Sequence, residues 1–512
     1  MGSVHSHERG ISHWWVRLGL LLVLSIFLNE SIRPVEQADD AYITYRYAQN
    51  LADGRGLVFN AGEYVEGYTN FSWGLLVAAG VVLGLEAPVA GHWLGLLCGL
   101  ALLIVTYLYA ASFLQSRQRG WAILAPLLLL ASNSFVHWTM SGLETPLFAF
   151  LMVSGLWAYR LGKLWWLSAL MILASMTRPE GMLLAGMLLG WSWWHAVRER
   201  VTDFRGLVVV SGPALLYAVY LIAHTAFRLQ YYGALLPNTF YAKVGGIPLQ
   251  RGFWDVYESL AEGGFIWLML CAVAAARFKS LRLPLVVSIV FLAYFVKVGG
   301  DVFAMGRYFL PLLPVWLAGS VALIAGECAA RVRRVVVACL LLLSFVGCLY
   351  FVPPKSRDFY AVAQKPFPSL NKRRHAHNHA DFGITEVSVR SWVERMRADF
   401  PVLKTVATIG IGKLGYVAMD IRIVDMVGLV DAHIARSKKV VPAALVLPGH
   451  QRTDSDYVLA QNHDMIWIPP IGENRGFALP CVEDMWANPI LQERYVWTPQ
   501  YMVWIRKDLV GA

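Results

Sequence analysis

Length, composition and charge already restrict the class of protein. The chain has 512 residues, of which 57% are hydrophobic and only 15% are charged. An average soluble domain has roughly 25% charged residues, so these values exclude an ordinary water-soluble enzyme and indicate a membrane protein. The formal net charge of +10 does not indicate a nucleic-acid partner, because multi-span proteins concentrate cations in their cytoplasmic loops and no basic tract with interleaved aromatic residues is present.

Uncharged runs follow one another along the first two thirds of the chain. A membrane-spanning helix needs roughly 20 mostly apolar residues, and charges near the bilayer centre are costly. Runs without Asp, Glu, Lys or Arg occupy 18–29, 67–85, 87–116, 120–143, 145–159, 164–177, 181–197, 206–227, 264–276, 283–296, 308–326 and 335–354. Most reach the length of a spanning helix once their flanks are added. We expect the first to remain as an anchor, because Trp14, Trp15 and Arg17 precede it and no small-residue cleavage site follows.

Basic loops between these runs set the predicted orientation, because such loops stay in the cytoplasm. Arginine and lysine cluster at 160–163, 198–205, 277–282 and 331–334. The segments predicted to face outward are 177–180, 231–263 and 299–307. A cytoplasmic amino terminus and an outward tail together require an odd number of crossings. We therefore expect about eleven spanning helices, with one run between 67 and 159 short or re-entrant.

The composition changes beyond Pro353 and Pro354, where charged residues become frequent. We therefore predict a transmembrane domain at 1–354, with an extracytoplasmic first loop at 30–70, and an extracytoplasmic soluble domain at 355–512. Mixed charge and apolar spacing predict an exposed helix at 388–400. Segments rich in β-branched and aromatic residues predict strands at 405–411, 421–427 and 495–505. The expected fold class is an all-α polytopic membrane protein with a C-terminal α/β domain.

Two adjacent carboxylates, Asp39 and Asp40, follow the first hydrophobic run and open a segment with helical spacing. Neighbouring carboxylates repel, so one of them holds its proton more firmly unless a cation offsets the charge. This arrangement prepares a general base or a metal ligand. The alternative is a helix N-terminus, where Asp is favoured as the cap and in the first turn. The residue types alone leave both interpretations open.

Eight motifs in a shared order resemble the actinobacterial terminal β-(1→2)-arabinofuranosyltransferases and their relatives. They are DDAYITYRYAQNL at 39–51, GRGLVFN at 54–60, VEGYTNF at 65–71, SGLE at 141–144, TRPEG at 177–181, YGALLPNTFYAK at 232–243, GGDVFAMGRY at 299–308 and DMVGLVDAHIA at 425–435. That family consists of GT-C glycosyltransferases, multi-span enzymes that take a sugar from a polyprenyl phosphate on the outer face of the membrane.

The resemblance implies a GT-C transferase in the bacterial cytoplasmic membrane, with its active site and tail outside. It implies transfer of a pentofuranose, arabinofuranose above all, from decaprenyl-phosphoryl-arabinofuranose to a cell-envelope glycan of the arabinogalactan or lipoarabinomannan type. The tail looks shorter than in the mycobacterial enzymes, so another lipid-phosphate sugar or a pilin acceptor stays open. We expect the tail to bind or align the acceptor.

The resemblance also implies roles for the outward polar residues. An aspartate of the first outer loop acts as general base in the family. We assign that role to Asp39, with Asp40 orienting it, binding sugar hydroxyls or helping to hold a cation; the order could be reversed. A leaving phosphate needs cations, so we expect Arg307 to bind the donor phosphate, assisted by Arg178 or Lys243. The alternative for these cations is snorkelling to the interface.

The remaining candidates are polar residues expected to bind sugar or acceptor. Glu144 and Glu180 are either sugar ligands or partners of Arg178. Arg46 either contributes to the site or pairs with one of the aspartates. The other candidates are Asn238, Tyr241, Asp301, Tyr68 and Asn70, of which the last two could equally pack at the interface. No cofactor is required, although Asp39 and Asp40 are compatible with a divalent cation such as Mg²⁺, Mn²⁺ or Ca²⁺.

Two further patterns carry less weight. The sequence at 410–415 matches GxGxxG after a predicted strand, but no convincing helix follows and the segment is predicted to lie outside the cytoplasm, so we do not expect a nucleotide site. His375, His377 and His379 fit no zinc pattern and indicate a solvated basic linker.

Two other classes of protein remain as rivals. A transporter would place its polar residues near the midplane on broken, repeated helices, whereas the polar motifs here cluster outside. The second rival is a non-catalytic membrane scaffold whose tail only binds glycan.

Overall fold

The computed structural model describes residues 36–200, 204–243, 249–301, 303, 306–327, 385–439, 450–468 and 480–510, with scattered positions between 18 and 28. Three predictions fall on parts of the chain outside these residues. They are the spanning run at 335–354, the domain boundary at 354 and the histidine-containing linker at 375–379. Most of the anchor predicted at 18–29 is also outside them.

Helices form the described part of the chain up to residue 327. They are α1 (Asp39–Ala52), α2 (Phe71–Val82), α3 (Ala87–Ala111), α4 (Leu124–Leu130), α5 (Asn133–Met140), α6 (Thr145–Arg160), α7 (Leu164–Thr177), α8 (Glu180–Arg200), α9 (Phe204–Tyr232), α10 (Asn238–Lys243), α11 (Leu249–Ser259), α12 (Phe265–Arg277), α13 (Arg282–Val298) and α14 (Leu313–Glu327). Short 3-10 turns at Arg119–Ile123 and Lys279–Leu281 precede α4 and α13, and a π-helical turn at Leu260–Gly264 precedes α12.

Few helices in the described part of the chain have both the length and the apolar composition of a membrane span. Within the described residues, Ala87–Ala111 and Lys279–Val298 are long and apolar enough to cross a membrane. A third candidate is Arg119–Leu130 with Ser134–Met140, a pair bent by 68°. Shorter apolar helices are Phe71–Val82, Leu164–Thr177, Phe265–Arg277 and Leu313–Gly326. The count of about eleven crossings is therefore not confirmed, and the bent pair lies in the region where one run is predicted to be short or re-entrant.

The tail contains a five-stranded mixed sheet in the order β2-β1-β3-β5-β4. Its strands are β1 (Thr405–Thr408), β2 (Arg422–Asp425), β3 (Met465–Trp467), β4 (Tyr495–Thr498) and β5 (Val503–Arg506), and its helices are α15 (Glu386–Asp399), α16 (Gly412–Val417), α17 (Ala432–Ala435), α18 (Ser455–Ala460), α19 (Pro480–Ala487) and α20 (Pro489–Arg494). β1 pairs in parallel with β2 and β3, whereas β5 is antiparallel to both β3 and β4. The predicted helix and the strands predicted at 405–411 and 421–427 are therefore confirmed over slightly different ranges. The single strand predicted at 495–505 is instead two antiparallel strands, β4 and β5, and β3 is an addition.

Alternating side chains give the sheet a hydrophobic layer on each face, because the strand period is two residues. On one face Val406, Ile423 and Ile505 belong to a cluster that also includes Ile43 and Phe59 of the amino-terminal part. The opposite face carries a separate cluster of the tail. The tail is therefore packed directly against α1 and the loop that follows it.

Candidate active site

The start of α1 is held by the turn at 141–144. The Ala38 backbone N–H donates to the Ser141 carbonyl at 3.1 Å, and the Tyr45 hydroxyl donates to the Gly142 carbonyl at 3.2 Å. Gly142 has φ +79°, and a Cβ there would lie 2.2 Å from the Tyr45 hydroxyl oxygen. A glycine is therefore required where this turn meets α1, and the turn sets the position of both aspartates.

The helix separates the two aspartates onto different faces, because successive residues are about 100° apart around the axis. Asp39 shares a face with Arg46, whereas Asp40 shares a face with Thr44. The Asp39 carboxylate accepts hydrogen bonds from the backbone N–H groups of Gly412 at 3.0 Å and Lys413 at 2.7 Å. Asp40 is half-buried, and its carboxylate has no hydrogen-bond or ion-pair partner among the described residues.

The glycine-rich turn at 410–415 is the element that binds Asp39. A six-residue helix, Gly412–Val417, does begin there, so the prediction that no helix follows is wrong. Its first free N–H groups receive a carboxylate of the same chain, as helix N-termini receive anions in general. A Cβ on Gly412 would lie 2.0 Å from the Asp39 carbonyl oxygen. This turn is therefore a docking contact between α1 and the tail.

Arg46 joins the first loop to the tail. It is 2% exposed, and it donates to the carbonyl oxygens of Phe59 at 2.7 Å, Gly415 at 2.5 Å and Ile421 at 2.8 Å. The ion pair predicted between this guanidinium and one of the aspartates is not formed. The physical reason is that its donors are already used by buried backbone carbonyl groups of the first loop and the tail.

A polar network runs from α1 into the bundle. The Asn70 amide donates to the Thr44 hydroxyl at 3.1 Å and to Glu144 at 3.0 Å. Arg178 donates through Nη1 to Glu144 at 2.6 Å, and through Nε and Nη2 to Glu180 at 3.2 and 3.0 Å. Glu144 and Glu180 therefore take the pairing role considered for them, and every guanidinium nitrogen of Arg178 is already bonded to a carboxylate.

Arg307 lies in a second ion pair beside this network. Its Nε and Nη2 donate to the two carboxylate oxygens of Asp301 at 2.7 and 2.8 Å. Its guanidinium carbon lies 4.6 Å from the centre of the Phe303 ring. The Tyr308 ring lies between the two arginines, 5.4 Å from Arg307 and 5.3 Å from Arg178. Nη1 of Arg307 has no partner among the described residues, so this nitrogen is available to an anion.

Three other predicted residues lie on α10, at its contact with the tail. The Asn238 amide donates to the Gly428 carbonyl at 2.8 Å, and the Arg436 guanidinium carbon lies 4.3 Å from the Tyr241 ring centre. Lys243 is exposed at the end of the helix. The structure thus places Asn238 and Tyr241 in docking contacts and brings none of the three to Arg307 through a described contact.

Tyr68 and Asn70 were considered either as ligands of sugar or acceptor or as packing residues, and their environments differ. Tyr68 is buried, and its hydroxyl shares a 2.9 Å hydrogen bond with that of Tyr232, whereas Asn70 belongs to the polar network. Sequence reasoning missed Thr44 and Tyr308, although both lie inside the quoted motifs. The spacing of four residues between Asp40 and Thr44 is a signal that could have found the first of them.

The carboxylates of Asp39 and Asp40 lie in different environments. Asp39 directs its oxygens to backbone N–H groups of the tail, and Asp40 lies on another face of α1. In the part of the chain that the structure describes, no three or more His, Cys, Asp or Glu side chains gather as they would around a metal.

The fold is similar to that of a solved structure, in agreement with the predicted GT-C fold. The crystal structure of ArnT from Cupriavidus metallidurans in the apo state superposes with a TM-score of 0.51 at 15% sequence identity, over 89% of this chain and 93% of that one. At this identity the likeness establishes the fold alone.

Two curated relatives bear the name terminal beta-(1->2)-arabinofuranosyltransferase, so the predicted resemblance is confirmed. The protein from Mycobacterium tuberculosis is 32% identical over 236 residues, which are 40% of this chain and 34% of that protein. The protein from Corynebacterium glutamicum is 27% identical over 337 residues, which are 56% of this chain and 47% of that protein. The chain thus spans between a third and a half of the length of these relatives. Residues 377–504 match a family described as a domain of unknown function, DUF8728.

Proposed function

We propose that this chain is a membrane glycosyltransferase that transfers arabinofuranose from a polyprenyl-phosphate donor to a cell-envelope glycan. The two relatives named as arabinofuranosyltransferases and the GT-C fold support the reaction class. One observation carries the proposal for this chain's own residues. Among the residues that the structure describes, the buried Arg307 keeps one guanidinium nitrogen without a partner, beside a polar network that leads to α1, and the carboxylate of Asp40 on α1 has no partner either.

Arg307 is better suited than Arg178 to bind a phosphate, because one of its guanidinium nitrogens has no partner among the described residues. Arg178 and its two glutamates form a closed set of charge-assisted hydrogen bonds. Asp301 holds the Arg307 guanidinium in a fixed plane, and Nη1 contacts no partner among the described residues. A preorganised donor of this kind stabilises the negative charge that develops on a leaving phosphate. We therefore assign donor-phosphate binding to Arg307 and a positioning role to Arg178.

The general base in this proposal is Asp40. Asp39 uses both carboxylate oxygens to bind the tail, so taking up a proton there would weaken the docking of the tail on α1. Asp40 removes the proton from the acceptor hydroxyl, whose oxygen forms a bond to the anomeric carbon of the sugar. The bond between that carbon and the phosphate oxygen breaks, and the phosphate leaves with the electron pair. The resemblance led us to expect the base at Asp39 and an assisting role for Asp40, and this proposal exchanges the two roles.

The tail fits a role in presenting the acceptor. Asp39 and Arg46 tie it to the same helix that carries Asp40, so a glycan on the tail would be held at a fixed place relative to the base. In this proposal the site and the tail face outward from the bacterial cytoplasmic membrane, and the donor is decaprenyl-phosphoryl-arabinofuranose.

The test is transfer by the purified full chain in lipid nanodiscs, with decaprenyl-phosphoryl-arabinofuranose carrying a radiolabel and an arabinan oligosaccharide as acceptor. We expect label in the glycan, and loss of transfer in Arg307→Gln. Arg397→Gln is the matched control, since Arg397 pairs only with an exposed aspartate of the tail. Transfer from a hexosyl lipid phosphate and none from the arabinosyl donor would contradict the assigned sugar. Equal transfer by Arg307→Gln and the control would contradict the assigned phosphate site.

A further inference from the structure

A cavity lies at the opposite end of the bundle from the candidate active site. Helices α6, α7, α8 and α13 each have one end at the site, near Glu144, Thr177, Glu180 and Val298. Their other ends surround a cavity of about 580 Å³. Since α6 has 16 residues and a helix rises about 1.5 Å per residue, the two ends of this helix are roughly 24 Å apart. The cavity is therefore separate from the site.

The cavity is lined by cations and aromatic side chains. Arg160 lies at the end of α6, Trp191 and His195 lie near the end of α8, and Lys279 and Arg282 lie at the start of α13. No Asp or Glu is among its lining residues. The cationic side chains are thus gathered here without a compensating carboxylate in the lining.

Arg160 is held in place by the turn that follows α3. Its Nε donates to the Ser112 hydroxyl at 2.8 Å, and its Nη2 donates to the Ser112 carbonyl at 2.5 Å. Its guanidinium carbon lies 4.1 Å from the centre of the Phe113 ring. Nη1 has no partner among the described residues. The protein thus fixes one guanidinium at the cavity and leaves a donor for a ligand.

Lys279 and Arg282 are exposed, and neither forms an ion pair with a residue that the structure describes. Trp191 is 46% exposed on the outside of the bundle, and the neighbouring loop between α6 and α7 is followed by Trp165 and Trp166, 58% and 69% exposed. Exposed tryptophans at helix ends mark the depth of the lipid headgroups. The cavity therefore lies at the depth where both the headgroup phosphate and the acyl chains of a lipid can reach it.

We propose that this cavity binds the phosphate of an anionic phospholipid headgroup at the end of the bundle that carries the basic loops. Basic cavities between membrane helices on the cytoplasmic side are suited to such headgroups. Arg160 supplies a fixed donor, and Lys279 and Arg282 supply mobile charge at the rim. The chemistry that the cavity recognises is the phosphate itself, so free phosphate is the competing ligand.

The test uses the full chain in phosphatidylcholine nanodiscs with increasing phosphatidylglycerol or cardiolipin, and bound lipid counted by native mass spectrometry. Each cation near a lipid phosphate contributes about a factor of five in binding, so Lys279→Ala with Arg282→Ala is expected to weaken binding of the anionic lipid roughly 30-fold. Lys163→Ala with Arg198→Ala is the matched control, because these exposed cations lie at the same end but outside the cavity lining. The control is expected to bind like the wild type.

Equal lipid binding by the cavity variant and the control would overturn the proposal. A second arm adds inorganic phosphate to nanodiscs of pure phosphatidylcholine. Protection of the chain against thermal unfolding by phosphate alone, to the same extent as by the anionic lipid, would overturn the lipid as the ligand. Lys279→Glu serves as a single exposed substitution should the double variant unfold, and unchanged lipid binding by it would count against the proposal.

Discussion

Substitution by asparagine is expected to affect different properties at the two adjacent aspartates. At Asp40 it should mainly reduce the rate of sugar transfer, and at Asp39 it should mainly reduce stability. Asp40→Asn removes the proposed base, so the rate of sugar transfer should fall roughly 10²- to 10⁴-fold, the usual contribution of general base catalysis. The free energy of unfolding should change by less than about 0.5 kcal/mol, because no described residue bonds to this half-buried carboxylate.

Asp39→Asn should instead act on the docking of the tail. The carboxylate accepts two backbone hydrogen bonds, at 3.0 and 2.7 Å, and hydrogen bonds to charged groups contribute roughly 1.5–3 kcal/mol each. An asparagine keeps one acceptor oxygen and turns its amide group towards the other N–H. Since Asp39 is half-buried, we expect the lower end of that range, a loss of about 2 kcal/mol, with a smaller fall in transfer that follows the loss of docking.

The assay measures three quantities on the same preparations. They are transfer from the labelled lipid donor, thermal unfolding, and hydrogen exchange of the backbone amides of Gly412 and Lys413. Exchange at these amides should increase in Asp39→Asn and stay unchanged in Asp40→Asn. The reasoning is refuted if Asp39→Asn abolishes transfer with unchanged unfolding and exchange while Asp40→Asn transfers at the wild-type rate.

Three further substitutions test the docking, the phosphate site and the tail. Gly412→Ala should loosen the tail and speed its proteolysis, because a Cβ would lie 2.0 Å from the Asp39 carbonyl oxygen. Arg307→Lys should raise KM for the lipid donor roughly tenfold or more, since lysine cannot hold Asp301 with two donors and present a third; an unchanged KM contradicts the assignment. Burial raises the pKa of Asp425 to about 6, so its stabilising contribution is complete below about pH 4 and is lost as the pH rises through 6, by up to roughly 3 kcal/mol. Tryptophan fluorescence should show this slope, and Asp425→Asn should abolish it.

Local patterns predicted the tail well where they were strong. The helix at 386–399 follows from amphipathic spacing, and the strands β1 and β2 follow from β-branched residues. The strand character of 495–505 was also predicted, but the turn that divides this segment into β4 and β5 was not. β3 was missed because it has only three residues, Met465–Trp467, too few for a periodic signal. The helix Gly412–Val417 was missed because its glycines are poor helix formers, and their small size is required by contact with α1 rather than by local preference.

The number of spanning helices could not be derived from uncharged runs. The run at 120–143 is uninterrupted in composition, yet the structure divides it into two helices bent by 68°. A hydrophobic sequence shows which residues are kept from water, but it does not show where the backbone turns. The reason is that an apolar side chain is equally compatible with contact to lipid and with contact to a neighbouring helix. Counting runs therefore does not by itself give the number of straight crossings.

Charged residues are rare in the membrane part of the chain, so each of them is expected to have a partner. The sequence does not show which kind of partner it has. Arg46, Arg178 and Arg307 share the same signal in the sequence, an isolated cation inside a family motif. Among the described residues their environments differ: Arg46 contacts backbone carbonyls, Arg178 contacts two glutamates, and Arg307 contacts one aspartate and keeps one nitrogen without a partner. The distinction depends on acceptors far away in sequence, so no local pattern contains it.

The different environments of Asp39 and Asp40 depend on the tertiary structure. Helical periodicity alone places Asp39 with Arg46 on one face of α1 and Asp40 with Thr44 on another. What it cannot decide is which face the tail covers, because the covering residues begin more than 370 positions later, at Gly412. Once that contact is known, the proposed assignment of the base to Asp40 follows, since Asp39 is occupied by N–H donors of the tail and the Asp40 carboxylate has no partner among the described residues.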